Sequence, residues 1–355
     1  MNRFLSLTLV ALMGLALLAG CAPAAPAQEQ PTENKQFFVG ALYDSLTVES
    51  RVRQRDELER YAKELGIRLV FQDGGLSEQK QMEQAESLIS QGVDCLIIMA
   101  HNPEAMVPLV EMCEKNGVLL VFVDRLISNA NYPYFVGWDN YFVGSEQAQF
   151  ALRNAPKGNY VFLIGAPTDP NALEWERIWD EILGPSIESG DINIVLRERV
   201  ADWDATIAAN YTENALTLAN DDIQVIMAMA DILSTGAVQA LKQRNLAGKV
   251  LVTGLDGELT AYQRIAEGSQ HMTLQVDDQG MARKALDLVV AHLKGEDTSS
   301  MITGTTYNGA YDIPTVSVGL LYVDKDNLLD MIKLGYVTYD DAFANVPEAD
   351  RPPRP

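Results

Sequence analysis

The chain predicts an α/β fold of two similar doubly wound parallel-sheet domains joined by a hinge. Three observations carry this. Short apolar, β-branched runs alternate with amphipathic stretches of roughly a dozen residues or more, the pattern of strands linked by helical crossovers to parallel neighbours. The alternation runs through two sets of similar size. A chain of 355 residues with 47% hydrophobic content is also too long for one small core and comfortable for two.

Residues 37–43 read as the first strand, and 49–65 as a helix closed by Gly66. Residues 67–72 form the next strand and 77–91 a helix ended by Gly92. Strands at 94–99 and 118–123 flank a third helix, for which Gly117 is the stop signal. A short strand at 135–137 completes the set. The second set places strands at 159–165, 192–200, 223–229, 249–255 and 271–274, with helices between. Ile97-Ile98-Met99-Ala100, a helix and Val121-Phe122-Val123-Asp124 are echoed by Val225-Ile226-Met227-Ala228, a helix and Val252-Thr253-Gly254-Leu255-Asp256. Each half ends a strand on an aspartate, which suggests internal duplication.

Arg3 precedes an apolar run over residues 4–17, shorter than the roughly 20 residues of a spanning helix, so it reads as a secretion signal. Leu18-Ala19-Gly20-Cys21 resembles the lipobox of bacterial lipoproteins. That resemblance implies cleavage before Cys21, a diacylglycerol thioether on its sulfur and an acylated, palmitate-type amine. The ordinary alternative is a signal peptide with an incidental cysteine. The chain is thus expected outside the cytoplasm, lipid-anchored to the cell membrane or outer membrane. Ala22 resembles the outer-membrane-directed pattern of diderm bacteria. In a monoderm it would mean the outer face of the single membrane. Residues 21–36 read as a disordered linker and 346–355 as a disordered tail.

The formal charge is −22, and removal of residues 1–20, which carry Arg3 alone, leaves −23. Such a surface disfavours nucleic acid and polyanionic ligands. Apart from Cys21, Cys95 and Cys113 fall on a buried strand and the helix after it, and read as free buried thiols. His101, His271 and His292 are scattered, so no metal site is expected, and no cofactor. No GxGxxG, P-loop, GxSxG or HExxH is present. Asp324-Lys325-Asp326-Asn327 starts like a calcium loop but lacks the glycine, and reads as a capped turn.

Open parallel sheets bind ligands beyond the carboxyl ends of their strands. There this chain places Tyr43-Asp44, Glu49-Ser50-Arg51, Asp124-Arg125, Trp138-Asp139-Asn140, Thr168-Asp169-Pro170-Asn171, Asp202-Trp203-Asp204, Asp231 and Asp256. Carboxylates accept from hydroxyls, arginine donates in a planar fork, asparagine does both, and aromatic rings pack against the C–H face of a sugar. Helix capping is the ordinary role of a strand-end aspartate. It is expected for Asp139, Asp231 and one of Asp202 and Asp204.

Taken together, these strings resemble type I periplasmic binding proteins, the ribose/xylose class of ABC-transporter solute receptors, and among them D-xylose-binding proteins. The likeness runs from about residue 37 to 327. It rests on Gln91-Gly92-Val93-Asp94, Val123-Asp124-Arg125-Leu126-Ile127, Pro156-Lys157-Gly158-Asn159-Tyr160, Gly236-Ala237-Val238-Gln239-Ala240-Leu241 and Arg264-Ile265-Ala266-Glu267-Gly268. The resemblance implies ligand roles for Asp124, Arg125, Asp169, Asn171 and Asp256. Three positions depart from it. Glu49-Ser50-Arg51 stands where xylose binders have Glu-Arg-Trp, which makes Arg51 a candidate. Ala230 replaces a common asparagine. A late lysine or glutamine aligns with Val276, or with Gln275 if the register slips by one. Trp203 is the first candidate for a stacking face, with Trp138 and Trp175 behind it.

The resemblance further implies discontinuous lobes, 36–138 plus 276–304 and 139–275 plus 305–345, with three hinge crossings. A monosaccharide would bind between them in a monomer that closes and docks on an ABC permease, with no covalent chemistry. Presentation of the ligand to a chemoreceptor or sensor kinase is the alternative. A secreted glycoside or nucleoside hydrolase, kept open by Asp202 and Asp204, is a third reading.

Overall fold

The computed structural model describes residues 36–355. The signal segment, Cys21 and all but the last residue of the 21–36 linker lie outside the described residues.

The first lobe opens with β1 (Phe38–Tyr43), buried at every position because it sits between two other strands. There follow α1 (Glu49–Glu64), β2 (Arg68–Asp73), α2 (Glu78–Ser90), β3 (Cys95–Ile98), α3 (Val107–Asn116), β4 (Leu119–Val123) and β5 (Tyr134–Gly137). Ser77 caps α2 by accepting from the Lys80 amide, and Gly117 ends α3 in the left-handed region, φ +65°. The five strands are parallel, in the order β2-β1-β3-β4-β5.

The chain then crosses to a second lobe of α4 (Asn140–Asn154), β6 (Gly158–Ile164), α5 (Pro170–Glu188), β7 (Ile192–Arg199), α6 (Ala205–Leu218), β8 (Val225–Ala228), α7 (Asp231–Gln243), β9 (Leu251–Val252), α8 (Leu259–Glu267) and β10 (Met272–Val276). Its parallel sheet runs β7-β6-β8-β9. Backbone bonds from His271 to Val252 (3.0 Å) and from Asp256 to Leu274 (2.9 Å) carry β10 alongside β9. The second lobe therefore repeats the second-first-third-fourth-fifth order of the first, in accord with the echo in the sequence. Val39, Ile97, Val121 and Val136 in one sheet, and Val161, Phe162, Ile226 and Met227 in the other, are wholly buried. Their apolar runs are what a sheet covered on both faces requires.

The return path differs from expectation. α9 (Asp278–Leu293) packs on α1, and β11 (Gly304–Tyr307) with β12 (Asp312–Ser317) extends the first sheet, β12 running parallel to β5. Residues 305–317 thus join the first lobe, not the second, because β12 completes the open edge of β5. The last crossing falls at Val318 and Gly319, before β13 (Leu320–Asp324) pairs antiparallel with β10. α10 (Leu328–Lys333) and α11 (Tyr339–Ala342) follow. The tail is likewise ordered against the fold: the Tyr339 hydroxyl donates to the Pro352 carbonyl, and the Arg354 guanidinium stacks 4.5 Å over the Tyr339 ring. A half-buried aromatic seat overrides the polar, proline-rich composition that read as disorder.

Other readings on the chain can be placed directly. Cys95 and Cys113 are buried free thiols. Asp324 accepts from the amides of Asp326 and Asn327, closing the expected turn. Among the described residues there is no cluster able to hold a metal ion, and no helix long and apolar enough to cross a membrane.

Candidate binding site between the lobes

A cavity enclosing about 660 Å³ of empty space, its mouth included, lies where the carboxyl ends of the two parallel sheets face each other. Seven of the eight residues selected from the sequence line it. Arg51 comes from the first turn of α1, Asp124 and Arg125 from the turn after β4, and Asp169 and Asn171 from the start of α5. Trp203 follows β7 and Asp256 follows β9. Asp44, at the end of β1, joins them.

Local backbone geometry aims these side chains. Asp124 (φ +67°), Asp256 (φ +103°), Asp202 (φ +53°) and Trp203 (φ +58°) all hold left-handed conformations that are costly without a glycine. Four such residues at strand ends around one cavity mark a site whose surroundings enforce its shape. Gly165, at the end of β6, makes room for it. A Cβ there would lie 2.0 Å from the ring of Trp203, so the indole can reach the cavity only over a glycine.

A buried polar network joins the two lobes. Arg125 donates through Nε to Asp169 (2.7 Å), and through Nη1 to Asp44 (2.9 Å) and the Ala100 carbonyl (2.7 Å). Asn171 donates to both the carboxylate (3.0 Å) and the carbonyl (3.1 Å) of Asp124. The Arg51 guanidinium lies 3.1 Å from Asp124 and 3.7 Å from Asp44. Asn140 orders the other wall: its carbonyl oxygen accepts from the indoles of Trp138 (3.1 Å) and Trp175 (2.9 Å), while its amide donates to Asn171 (3.0 Å). Trp175 and Trp203 then meet edge to face.

Burial pushes Asp124 up to about 6, with Arg51 and Arg125 opposing the rise. Burial also pushes Asp256 well up, Arg51 opposing and Glu258 adding to it. For Arg51 burial acts against the charge, but the Asp124 and Asp44 carboxylates outweigh it and raise its pKa. Two buried donors of lining residues, Nε of Arg51 and Nε1 of Trp203, have no hydrogen-bond partner among the described residues, and Oδ2 of Asp124 meets the Arg51 guanidinium at 3.1 Å outside hydrogen-bond geometry. Free donors beside buried carboxylates around one cavity suit a neutral ligand whose hydroxyls both give and take hydrogen bonds.

The sequence model of the periplasmic binding protein domain matches residues 44–297. The chain belongs to the periplasmic binding protein family. It is 32% identical over 311 residues to the D-xylose-binding periplasmic protein of Haemophilus influenzae, covering 87% of this chain and 93% of that one. With the D-xylose-binding periplasmic protein of Escherichia coli it shares 32% over 303 residues, covering 85% and 91%. Among solved structures, a carbohydrate transporter solute binding protein of Chloroflexus aurantiacus in complex with D-glucose superposes with a TM-score of 0.81 at 26% identity. That match covers 88% of this chain and all of the other. The fold is the type I arrangement of this family, which implies an extracytoplasmic location.

Two sequence readings do not hold in this periplasmic binding protein. Gln275 does not line the cavity: its amide is engaged by the Tyr262 hydroxyl (2.7 Å) and the Val276 carbonyl (2.5 Å). Asp231 is not a helix cap. It is the first residue of α7, and its wholly buried carboxylate accepts from Gln270 (2.7 Å), Thr273 (2.8 Å) and the Glu258 amide (3.1 Å). The remaining expected caps do form, Asp139 on α4 and Asp204 on α6. Asp44 and Asn140 stand among the strand-end residues of the sequence but outside the eight expected ligand residues; Asp44 lines the cavity and Asn140 orders its aromatic wall.

Proposed function

We propose that the chain is an extracytoplasmic receptor that captures a monosaccharide between its lobes and delivers it to an ABC importer. A pentose of the xylose type is the first candidate. The observation that carries this is the cavity itself, walled from both lobes by Asp124, Arg125, Arg51, Asp169, Asn171, Asp256 and Trp203, with unsatisfied donors on Arg51 and Trp203 beside its carboxylates. Relatives named for D-xylose binding, aligned over nine-tenths of their length, point to the same ligand class. Arg125 and Asn171 reach across the cleft, so closure would complete the polar frame around a bound sugar. The crossings at 138–139, 276–277 and 318–319 would act as the hinge. The receptor would act as a monomer, held to the membrane by lipid on Cys21.

The test is thermal unfolding of residues 36–355 with xylose, ribose, glucose, galactose, arabinose and inositol. A ligand at about 100 times its Kd adds roughly 2.7 kcal/mol and should raise the midpoint by several degrees. One clear responder, silenced by Asp256→Ala, supports the reading. No response to any of them rejects it. The anchor is tested separately: Cys21→Ser should move the protein from the membrane fraction to the soluble one, and retention would reject lipidation.

A further inference from the structure

Outside the sugar cavity, a second set of contacts holds the lobes together at the loop that carries Asp256. Arg53 lies on α1, and its charge is secured within its own lobe. Nε and Nη2 both reach the buried Asp278 carboxylate, at 3.0 and 2.5 Å, and Gln54 holds the other oxygen of that carboxylate at 3.0 Å. Glu49, one turn earlier, accepts from Arg53 Nη1 at 3.0 Å. The pair is therefore built on one lobe whether or not the cleft is closed.

From that platform two bonds cross to the second lobe. Arg53 Nη2 donates to the backbone carbonyl of Asp256 at 2.9 Å, and Glu49 Oε2 accepts from the Leu259 amide at 2.9 Å. Leu259 is the first residue of α8, where amides lack partners within the helix and the helix dipole favours an anion. Glu258, at the cap position, makes no such bond with its own side chain. Both crossing bonds grip the backbone of residues 256–259, where Asp256 (φ +103°) and Gly257 (φ +63°) hold the strained turn that points the Asp256 side chain into the cavity.

We infer that Arg53 and Glu49 form a latch that positions Asp256 and sets how slowly the closed cleft releases its ligand. The inference rests on the proposed sugar reading. Both are positioning residues, since neither lines the cavity. A charge-assisted hydrogen bond partly open to water corresponds to about tenfold in affinity. Arg53→Lys keeps a cation beside Asp278 but gives up the fork that spans to Asp256. Glu49→Ala removes the cap on α8.

The experiment compares wild type, Arg53→Lys and Glu49→Ala by stopped-flow binding of the panel sugar with the largest thermal shift, and by amide hydrogen exchange over residues 256–260. Each variant should raise Kd about tenfold, almost wholly through faster dissociation. Glu49→Ala should also speed exchange at the Leu259 amide. A structural role alone would lower the melting point and leave the dissociation rate unchanged. Kd within twofold of wild type in both variants overturns the latch, as does a Kd change without faster exchange at Leu259. If no sugar binds the wild type, the functional reading fails and exchange alone decides. Protection at Leu259 that Glu49→Ala abolishes then supports the latch, and protection that survives it overturns the latch.

Discussion

Arg125 and Asp169 meet at 2.7 Å from opposite lobes, a guanidinium after β4 reaching the residue that caps α5. Both are almost wholly buried, and the same guanidinium holds Asp44 and a carbonyl of its own lobe. One cation therefore serves two buried carboxylates, one from each lobe, and ties the closed cleft together.

Replacing Arg125 should be costly to the fold. Arg125→Met leaves Asp44 and Asp169 without their shared cation, and an uncompensated buried charge costs about 3–5 kcal/mol. Urea unfolding at pH 7.5 should register a loss of that order. Asp169→Asn keeps an acceptor for Arg125 and removes the charge, so it should cost less stability than Arg125→Met. An equal loss in the two variants would mean the ion pair is not what the lobes share.

Gly165 gives the sharpest steric test. Its Cβ would fall 2.0 Å from Trp203, and its backbone is not in the left-handed region, so alanine is excluded by the ring alone. Gly165→Ala should displace the indole, change tryptophan fluorescence and weaken sugar binding at least tenfold, with the loss of about 1–3 kcal/mol typical of overpacking. Gly165→Ala combined with Trp203→Ala should recover the stability but not the binding. Unchanged fluorescence in the single variant would refute the packing argument.

Asn140 should behave as the hub of the cavity's aromatic wall. Asn140→Ala strands the indole N–H groups of Trp138 and Trp175 and the Asn171 carbonyl. A buried polar group left unpaired costs about 1–3 kcal/mol. Asn140→Asp keeps the acceptor for both indoles and should recover most of the stability, while repelling the Asn171 oxygen and weakening binding. The comparison is made by chemical denaturation, and equal stability of the two variants would count against the hub.

The strands, their parallel sheets and the position of the cleft were legible because burial on both faces forces unbroken apolar runs, and strand ends are where parallel sheets expose polar side chains. Asp124, Arg125, Asp169 and Asn171 stand where that rule looks, and the family resemblance singled them out among the other strand-end residues. What the rule could not supply was side-chain choice among neighbours. Asp231 looks like a cap in one dimension, but its partners Gln270 and Thr273 are about 40 residues away. Gln275 is one residue along a strand from the expected position, and its amide is taken by Tyr262. The ordered tail failed for a related reason, since Tyr339 lies outside the segment whose composition was read.

Glu258 offers the clearest dependence on pH. Burial, with Asp231 nearby, pushes its carboxyl up to about 7, and the Thr260 hydroxyl approaches it at 3.5 Å. Between its unfolded pKa near 4.3 and about 7, the native state holds a proton that the unfolded chain has released. Stability therefore falls as pH climbs through that window and is level on either side of it, for this group. Across that window the loss comes to about 3–4 kcal/mol by pH 8. Glu258→Gln, isosteric and uncharged, should remove that slope and leave the variant more stable than wild type at pH 8, with little difference at pH 4.5. Urea unfolding across pH 4.5 to 8 checks this. Parallel profiles for the two proteins would mean that Glu258 is ionised in the native state at neutral pH.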